Sequence, residues 1–197
     1  MLLSSYRLGD LVLLGLREDE QEDILRENPN SIGSVYILEK RKNKEVNNIH
    51  LITSIVLTLL EQISEVLPKD ISESTVIHLR LGDVVGGNES HEKMKRPFDV
   101  NYIKTLLEGN NDTKYVIGNC HYSRASSTNY EECTVLSNNY LRNVMDSLNA
   151  HHYDSGDADI DLCCAVKSKR FLKGQGGYSE LIYKIRKALN LENIELR

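Results

Sequence analysis

Residues 75–83, Thr-Val-Ile-His-Leu-Arg-Leu-Gly-Asp, begin as an apolar β-rich run and end in a polar turn. Short continuous apolar runs are typical of strands buried on both faces of a parallel sheet. After Pro68, three further β-rich runs alternate with amphipathic segments, which is the pattern of βα units. The predicted strands are residues 75–79, 114–118, 151–153 and 170–172, and the predicted helices are residues 99–107, 131–148, 159–167 and 178–189. The sequence therefore predicts an α/β fold with a Rossmann-like parallel sheet and flanking helices.

The region before Pro68 is organised differently. Residues 45–67 repeat apolar side chains at the three-and-four spacing of one buried helix face, and Pro68 ends the pattern. Upstream, residues 6–16 are predicted as a helix and residues 35–38 as a strand. We therefore divide the chain into a small N-terminal lobe, residues 1–68, and a Rossmann-like lobe, residues 69–197.

Composition excludes several classes of protein. The chain has 197 residues and a net charge of −5, with 24 Lys and Arg against 29 Asp and Glu, which disfavours a general nucleic-acid binder. No apolar run approaches the roughly 18 to 20 residues that span a bilayer. The first residues lack the small-residue cleavage pattern of a signal peptide, so we expect a cytoplasmic protein. The four cysteines lack paired CxxC spacing, which favours buried reduced thiols over zinc.

Polar residues gather where the first predicted strand ends. His78, Arg80, Gly82 and Asp83 follow its apolar half, and open parallel sheets place ligands at the carboxyl ends of their strands. Alternation puts His78 and Arg80 on one side if the strand continues that far. The alternative is structural: Arg80 and Asp83 form a loop ion pair, and His78 is a core residue.

A second candidate element lies between the last predicted strand and helix. Residues 173–179, Lys-Gly-Gln-Gly-Gly-Tyr-Ser, are glycine-rich, and glycines at a helix start leave backbone N–H groups open to an anion. The same glycines could simply close a tight turn. Ser179 fits either an N-cap hydroxyl or a phosphate donor. Together with Arg80, this loop offers the charge-assisted donors that suit a diphosphate.

These residues resemble a known family. Residues 77–83, IHLRLGD, are similar to the His-x-Arg-x-Gly-Asp motif of the GDP-fucose-dependent fucosyltransferase superfamily. Residues 157–182, DADIDLCCAVKSKRFLKGQGGYSELI, also resemble its downstream segment. The resemblance covers mainly residues 75–185. It implies a GT-B-like fold of two facing lobes, here with a reduced N-terminal lobe, and transfer of a sugar from a GDP-sugar donor to a glycan or other hydroxyl acceptor, with no metal or other cofactor required.

The resemblance also implies roles for individual residues. Arg80 would bind the donor diphosphate and stabilise the leaving nucleotide, and Asp83 would share the catalytic site with it. The implied substrate-binding residues are Arg7, Gly9 and Asp10 of a weak N-terminal loop motif, His78 and Gly82 of the central motif, Asp159 and Asp161 at the base or ribose, and Gly176, Gly177, Tyr178 and Ser179 at the phosphates.

Some alternatives stay open at this point. The alternating aspartates Asp157, Asp159 and Asp161 could hold a metal ion, although acidic residues before a helix more often cap it. The catalytic base could be any of several side chains. Its candidates are Asp10, Asp83, His91 and His121. The alternative function is a noncatalytic nucleotide or nucleotide-sugar binding module.

Overall fold

The computed structural model describes residues 49–86, 97–121 and 130–195. Its helices are α1 (Ile49–Ile63), α2 (Asp83–Gly86), α3 (Val100–Leu106), α4 (Tyr130–Leu148), α5 (Ala158–Lys167) and α6 (Gly177–Ala188). Its strands are β1 (Thr75–His78), β2 (Leu81–Gly82), β3 (Lys114–Ile117), β4 (Cys120–His121), β5 (Ala150–His152), β6 (Arg170–Leu172) and β7 (Glu192–Ile194). The predicted alternation of strands and helices is confirmed. None of the helices in these ranges combines the length and the apolar character needed to cross a membrane.

The main sheet has five strands in the order β5-β3-β1-β6-β7, and its pairings are all parallel. The chain runs outward from β1 through β3 to β5 and then returns to β6 on the other side of β1. The order therefore reverses between β1 and β6. In open parallel sheets, ligands bind at the carboxyl edge beside such a switch point, and we call this part of the edge the crevice. Strands β2 and β4 form a separate parallel pair beyond that edge.

Helices cover both faces of the sheet, which confirms the α/β class. Val76 and Phe171 belong to a buried cluster shared with α1, α5 and α6. Ile77 and Leu172 belong to a second cluster shared with α3 and α4. Because adjacent strand residues point to opposite faces, two apolar layers require strands that are apolar at nearly every position.

Helix α1 corrects the predicted division of the chain. Its buried residues Ile52, Val56, Leu59 and Ile63 share a core with β1, β6 and α6. The predicted boundary at residue 68 is therefore wrong for residues 49–68, because the apolar stripe of an amphipathic helix needs a surface to cover and here it covers the sheet. Residues 1–48, with the helix predicted at 6–16 and the strand predicted at 35–38, lie outside the described residues.

The amino edge of the sheet is held by a buried arginine. Arg186 of α6 is fully buried, and its guanidinium donates to the carbonyls of Ala165, Val166 and Ser168 at the end of α5. The Ser168 hydroxyl lies 2.8 Å from the carbonyls of both Ala165 and Arg170. These bonds join α5, α6 and β6 at the edge opposite the crevice.

Candidate functional site

The candidate site lies in the crevice at the switch point. Strands β1 and β6 are hydrogen-bonded neighbours with Ile77 opposite Leu172, so the loops that follow them leave the sheet side by side. Strand β1 ends at His78, two residues before Arg80, so the strand is shorter than the predicted range. The glycine-rich loop follows β6 and leads into α6. Both sequence elements singled out above therefore lie at one place.

The guanidinium of Arg80 lies against Gly176, the residue just before α6. A Cβ atom added to Gly176 would stand 3.3 Å from Nη1 and 3.5 Å from Cδ of Arg80. Gly176 is the N-cap residue of α6, and its φ of +91° is one that L side chains rarely adopt. The start of a helix has unsatisfied N–H groups and a partial positive charge. The positive charge of Arg80 and the positive end of α6 therefore lie next to each other.

Gly174 allows the two loops to approach each other. A Cβ atom at this position would stand 2.2 Å from the carbonyl oxygen of His78 and 2.6 Å from its Nδ1. The backbone N–H of Gly174 donates to Ser179 Oγ at 2.7 Å. Only glycine fits in this space, since even a methyl group would overlap the backbone of β1.

Ser179 has a structural partner inside the loop. It is the third residue of α6 and is fully buried, and its hydroxyl accepts the Gly174 N–H. The N-cap role considered for Ser179 is wrong, because Gly176 occupies that position. The hydroxyl folds back on the glycine loop because that loop would otherwise bury an unpaired backbone donor.

His78 is a buried, neutral imidazole beside Arg80. Only 6% of the residue is exposed, and its ring centroid lies 5.4 Å from that of Tyr178. Its Nδ1 makes no hydrogen bond to any part of the chain that the structure describes. Burial, followed by the charge of Arg80, lowers the pKa of His78 to about 4. The imidazole therefore adds no charge next to the guanidinium at neutral pH.

Tyr178 joins the starts of α5 and α6. Its hydroxyl donates to the carbonyl oxygen of Ala158 at 2.5 Å. Burial and then the nearby carboxylates of Asp161 and Asp159 raise the pKa of Tyr178 well above its usual value. The phenol is therefore neutral, and its hydroxyl hydrogen points at α5.

The aspartates before α5 organise that helix start. Asp157 is the N-cap, and its Oδ1 accepts the N–H of Asp159 at 2.8 Å. Asp161 Oδ1 accepts the N–H and the hydroxyl of Ser155 at 3.0 and 2.6 Å. Capping is confirmed for Asp157. Within residues 49–86, 97–121 and 130–195, no group of three or more His, Cys, Asp or Glu side chains comes together as a metal site would require.

Gly82 forms the turn expected of it. Its φ is +85°, and its N–H donates to the hydroxyl of Ser137 in α4 at 2.8 Å. Sequence reasoning missed Ser137, which lies 55 residues further along the chain. The available signal was a hydroxyl on the otherwise apolar stripe of a predicted helix.

Apart from Gly82 and Ser179, which are described above, the predicted site residues fall into three groups. The structure brings His78, Arg80, Gly176 and Tyr178 together at the crevice, and Gly177 is exposed beside them in the first turn of α6. Asp159 and Asp161 lie buried at the start of the neighbouring helix α5. The third group lies outside the described part of the chain, and it comprises Arg7, Gly9, Asp10, His91 and the side chains of Asp83 and His121.

Comparison with known proteins assigns no family to the chain. No protein-family model matches the sequence, and neither curated proteins nor solved structures gave a significant match. The function of the chain is therefore inferred from the residues and geometry of the crevice.

Proposed function

We propose that this protein is a glycosyltransferase that binds the diphosphate of a sugar nucleotide between Arg80 and the start of α6. The donor is GDP-fucose, the acceptor is a glycan or another hydroxyl compound, and the sheet domain is the donor-binding lobe of a GT-B-like enzyme. The proposal is supported chiefly by the contact of the Arg80 guanidinium with Gly176 at the switch point. A planar guanidinium with several N–H donors matches phosphate oxygens in a way that an ammonium group does not.

The proposed reaction is a displacement at the anomeric carbon of the donor sugar. The acceptor hydroxyl oxygen bonds to that carbon as its bond to the diphosphate oxygen breaks. The bonding electrons leave with the diphosphate, and the acceptor proton passes to a base, for which Asp83 is our candidate. Negative charge therefore grows on the leaving group in the transition state, where preorganised donors stabilise it most effectively.

The chain's own groups supply the positive charge that this step requires. Arg80 brings a full charge, and α6 brings the backbone N–H groups of its first turn together with its dipole. His78 remains neutral, so it helps to shape the site without competing with Arg80 for the anion.

A nucleotide panel and an Arg80 variant test the proposal. We expect GDP to raise the melting temperature of the full chain more than UDP or ADP, since a ligand that binds only the folded state stabilises it. With GDP-fucose and an acceptor, Arg80→Ala should slow sugar transfer by roughly a hundredfold or more while leaving the unliganded melting temperature nearly unchanged. Arg142→Ala, which removes an exposed cation of α4, is the matched control and should behave as the wild type.

The products of the same assay separate the possible functions. GDP release that depends on an acceptor supports transfer, whereas acceptor-independent release indicates hydrolysis. GDP-fucose binding without release of GDP would identify the noncatalytic binding module instead. Transfer at the wild-type rate by Arg80→Ala would refute the proposed site.

A further inference from the structure

Ser137 is a buried polar residue on an apolar helix face. It is fully buried in α4, which also buries Cys133, Leu141 and Val144. The spacing of these residues is that of one helix stripe, and Ser137 holds a position where the pattern calls for an apolar side chain. Burying a hydroxyl is unfavourable unless it is hydrogen-bonded. A polar residue on the buried face of a helix, such as Ser137, is therefore expected to have a specific role.

The Ser137 hydroxyl contacts the turn that carries Arg80. On one side of Arg80, the Leu79 N–H donates to the Ile117 carbonyl at 2.9 Å. On the other side, Leu81 and Gly82 form the short parallel strand β2. The Gly82 N–H then donates to Ser137 Oγ at 2.8 Å in a buried environment. Arg80 is thus bracketed by a backbone bond to β3 and a side-chain bond to α4.

We propose that Ser137 is a positioning residue for Arg80, which it acts on through Gly82. This inference rests on the proposed function, because it assumes that Arg80 binds the diphosphate. Without the hydroxyl, the Gly82 N–H would lose its acceptor inside the protein, and the turn would shift to reach water or another acceptor. The conformation in which Arg80 lies against Gly176 would then be less populated, and ligand affinity falls with that population.

The test compares two buried serines at opposite edges of the sheet. Ser137→Ala should raise the dissociation constant for GDP roughly fivefold, which corresponds to the usual net value of one hydrogen bond. Ser168→Ala removes a buried hydroxyl at the amino edge. We expect Ser137→Ala and Ser168→Ala to lower the melting temperature by similar amounts. Ser168→Ala should nevertheless leave GDP affinity unchanged. Titration calorimetry on the full chain, at a temperature where all variants are folded, measures both constants.

A second readout does not depend on the ligand. Amide hydrogen exchange of Gly82 should accelerate in Ser137→Ala and stay at the wild-type rate in Ser168→Ala. If Ser137→Ala does not fold, Ser137→Cys serves instead, since it keeps the size of the side chain and offers a weaker acceptor. Its GDP affinity should be lower than that of the wild type and of Ser168→Ala, and wild-type affinity in Ser137→Cys would refute the positioning role.

The outcomes separate this inference from the proposed function. If the wild type binds GDP, Arg80→Ala loses binding and Ser137→Ala binds normally, the site stands and the positioning role is refuted. Equal losses of affinity in Ser137→Ala and Ser168→Ala also refute it, because both would then reflect general loosening. If the wild type does not bind GDP, the proposed function falls and the inference falls with it.

Discussion

Two helices begin side by side at the carboxyl edge of the sheet, and they are capped in opposite ways. Helix α5 opens with Asp157, whose carboxylate accepts a backbone N–H of the first turn. Helix α6 opens with Gly176, which has no side chain to accept such a bond and lies against the guanidinium of Arg80. One start is closed by a negative charge of the chain, whereas the other has a positive charge beside it.

This difference shows why only one of the two helix starts is a candidate anion site. A carboxylate at a helix N-terminus satisfies N–H donors and interacts favourably with the dipole. The N-terminus of α5 should therefore attract an anionic ligand only weakly. A guanidinium at the same position adds to the positive potential of the helix. The Tyr178 hydroxyl donates to the Ala158 carbonyl and so links the two helix starts, which makes variants of one start a natural control for variants of the other.

The largest effect is expected at Gly174, where the loop between β6 and α6 packs against β1. We expect Gly174→Ala to lower the free energy of unfolding by more than about 3 kcal/mol, because the new methyl group would overlap the His78 backbone. Gly109→Ala is the control, since its φ is +76° but nothing lies within 4 Å of the added methyl. It should cost only about 1 kcal/mol. Urea unfolding measures both, and equal losses would contradict the steric explanation.

The next effect concerns the neutral imidazole beside Arg80. The pKa of His78 is about 4 in the folded protein and 6.5 when unperturbed. The unfolded chain therefore binds the proton more tightly, and stability falls as the pH drops from about 6.5 to 4. We expect a loss of about 3 kcal/mol across this window. Urea unfolding of the wild type and of His78→Asn at several pH values checks this, and parallel curves for the two proteins would refute it.

A carboxylate at the start of α6 should make it resemble α5. Gly176→Asp places a negative charge beside Arg80, and we expect GDP affinity to fall roughly tenfold or more as the new side chain competes with the ligand. Gly176→Ala carries the same strain from the positive φ without the charge, and its affinity should fall less. Titration calorimetry measures both variants, and equal losses would show that backbone strain alone is responsible.

The smallest effect is expected at α5. Asp157→Ala removes the N-cap and should lower the free energy of unfolding by about 1 kcal/mol, the usual value for such a residue. GDP affinity should not change, because Asp157 itself is not among the predicted substrate-binding residues. Chemical unfolding and GDP titration test the two halves of this prediction. A loss of GDP affinity would mean that both helix starts contribute to binding.

Sequence patterns predicted most of the fold closely. The predicted strand at residues 170–172 matches β6, and the helix predicted at residues 178–189 lies within one residue of α6 at each end. Their apolar periodicity is strong because each element has a face that must be buried. Strand β7 was missed, since Glu192–Ile194 forms a half-exposed edge strand with no apolar run. The extent of α1 was roughly predicted, but its place in the sheet core was not.

The candidate site was predicted in part. Arg80 and the glycine-rich loop were identified from residue types that suit an anion and from their places after predicted strands. Gly174 was not singled out, because its tight contact with His78 depends on β1 and β6 being neighbours. Ser137 was missed for the same reason, since its partner Gly82 lies 55 residues away.

The sequence by itself determined which of the segments with a regular apolar pattern become strands and helices, because apolar spacing, helix stops and turn residues act over a few neighbouring positions. Only the tertiary structure decided the strand order, which returns the chain to β6 beside β1 and brings Arg80 against Gly176. Contacts of that kind join residues far apart in the chain. They depend on how two apolar layers pack around one sheet, and this packing cannot be read from sequence patterns that extend over only a few residues.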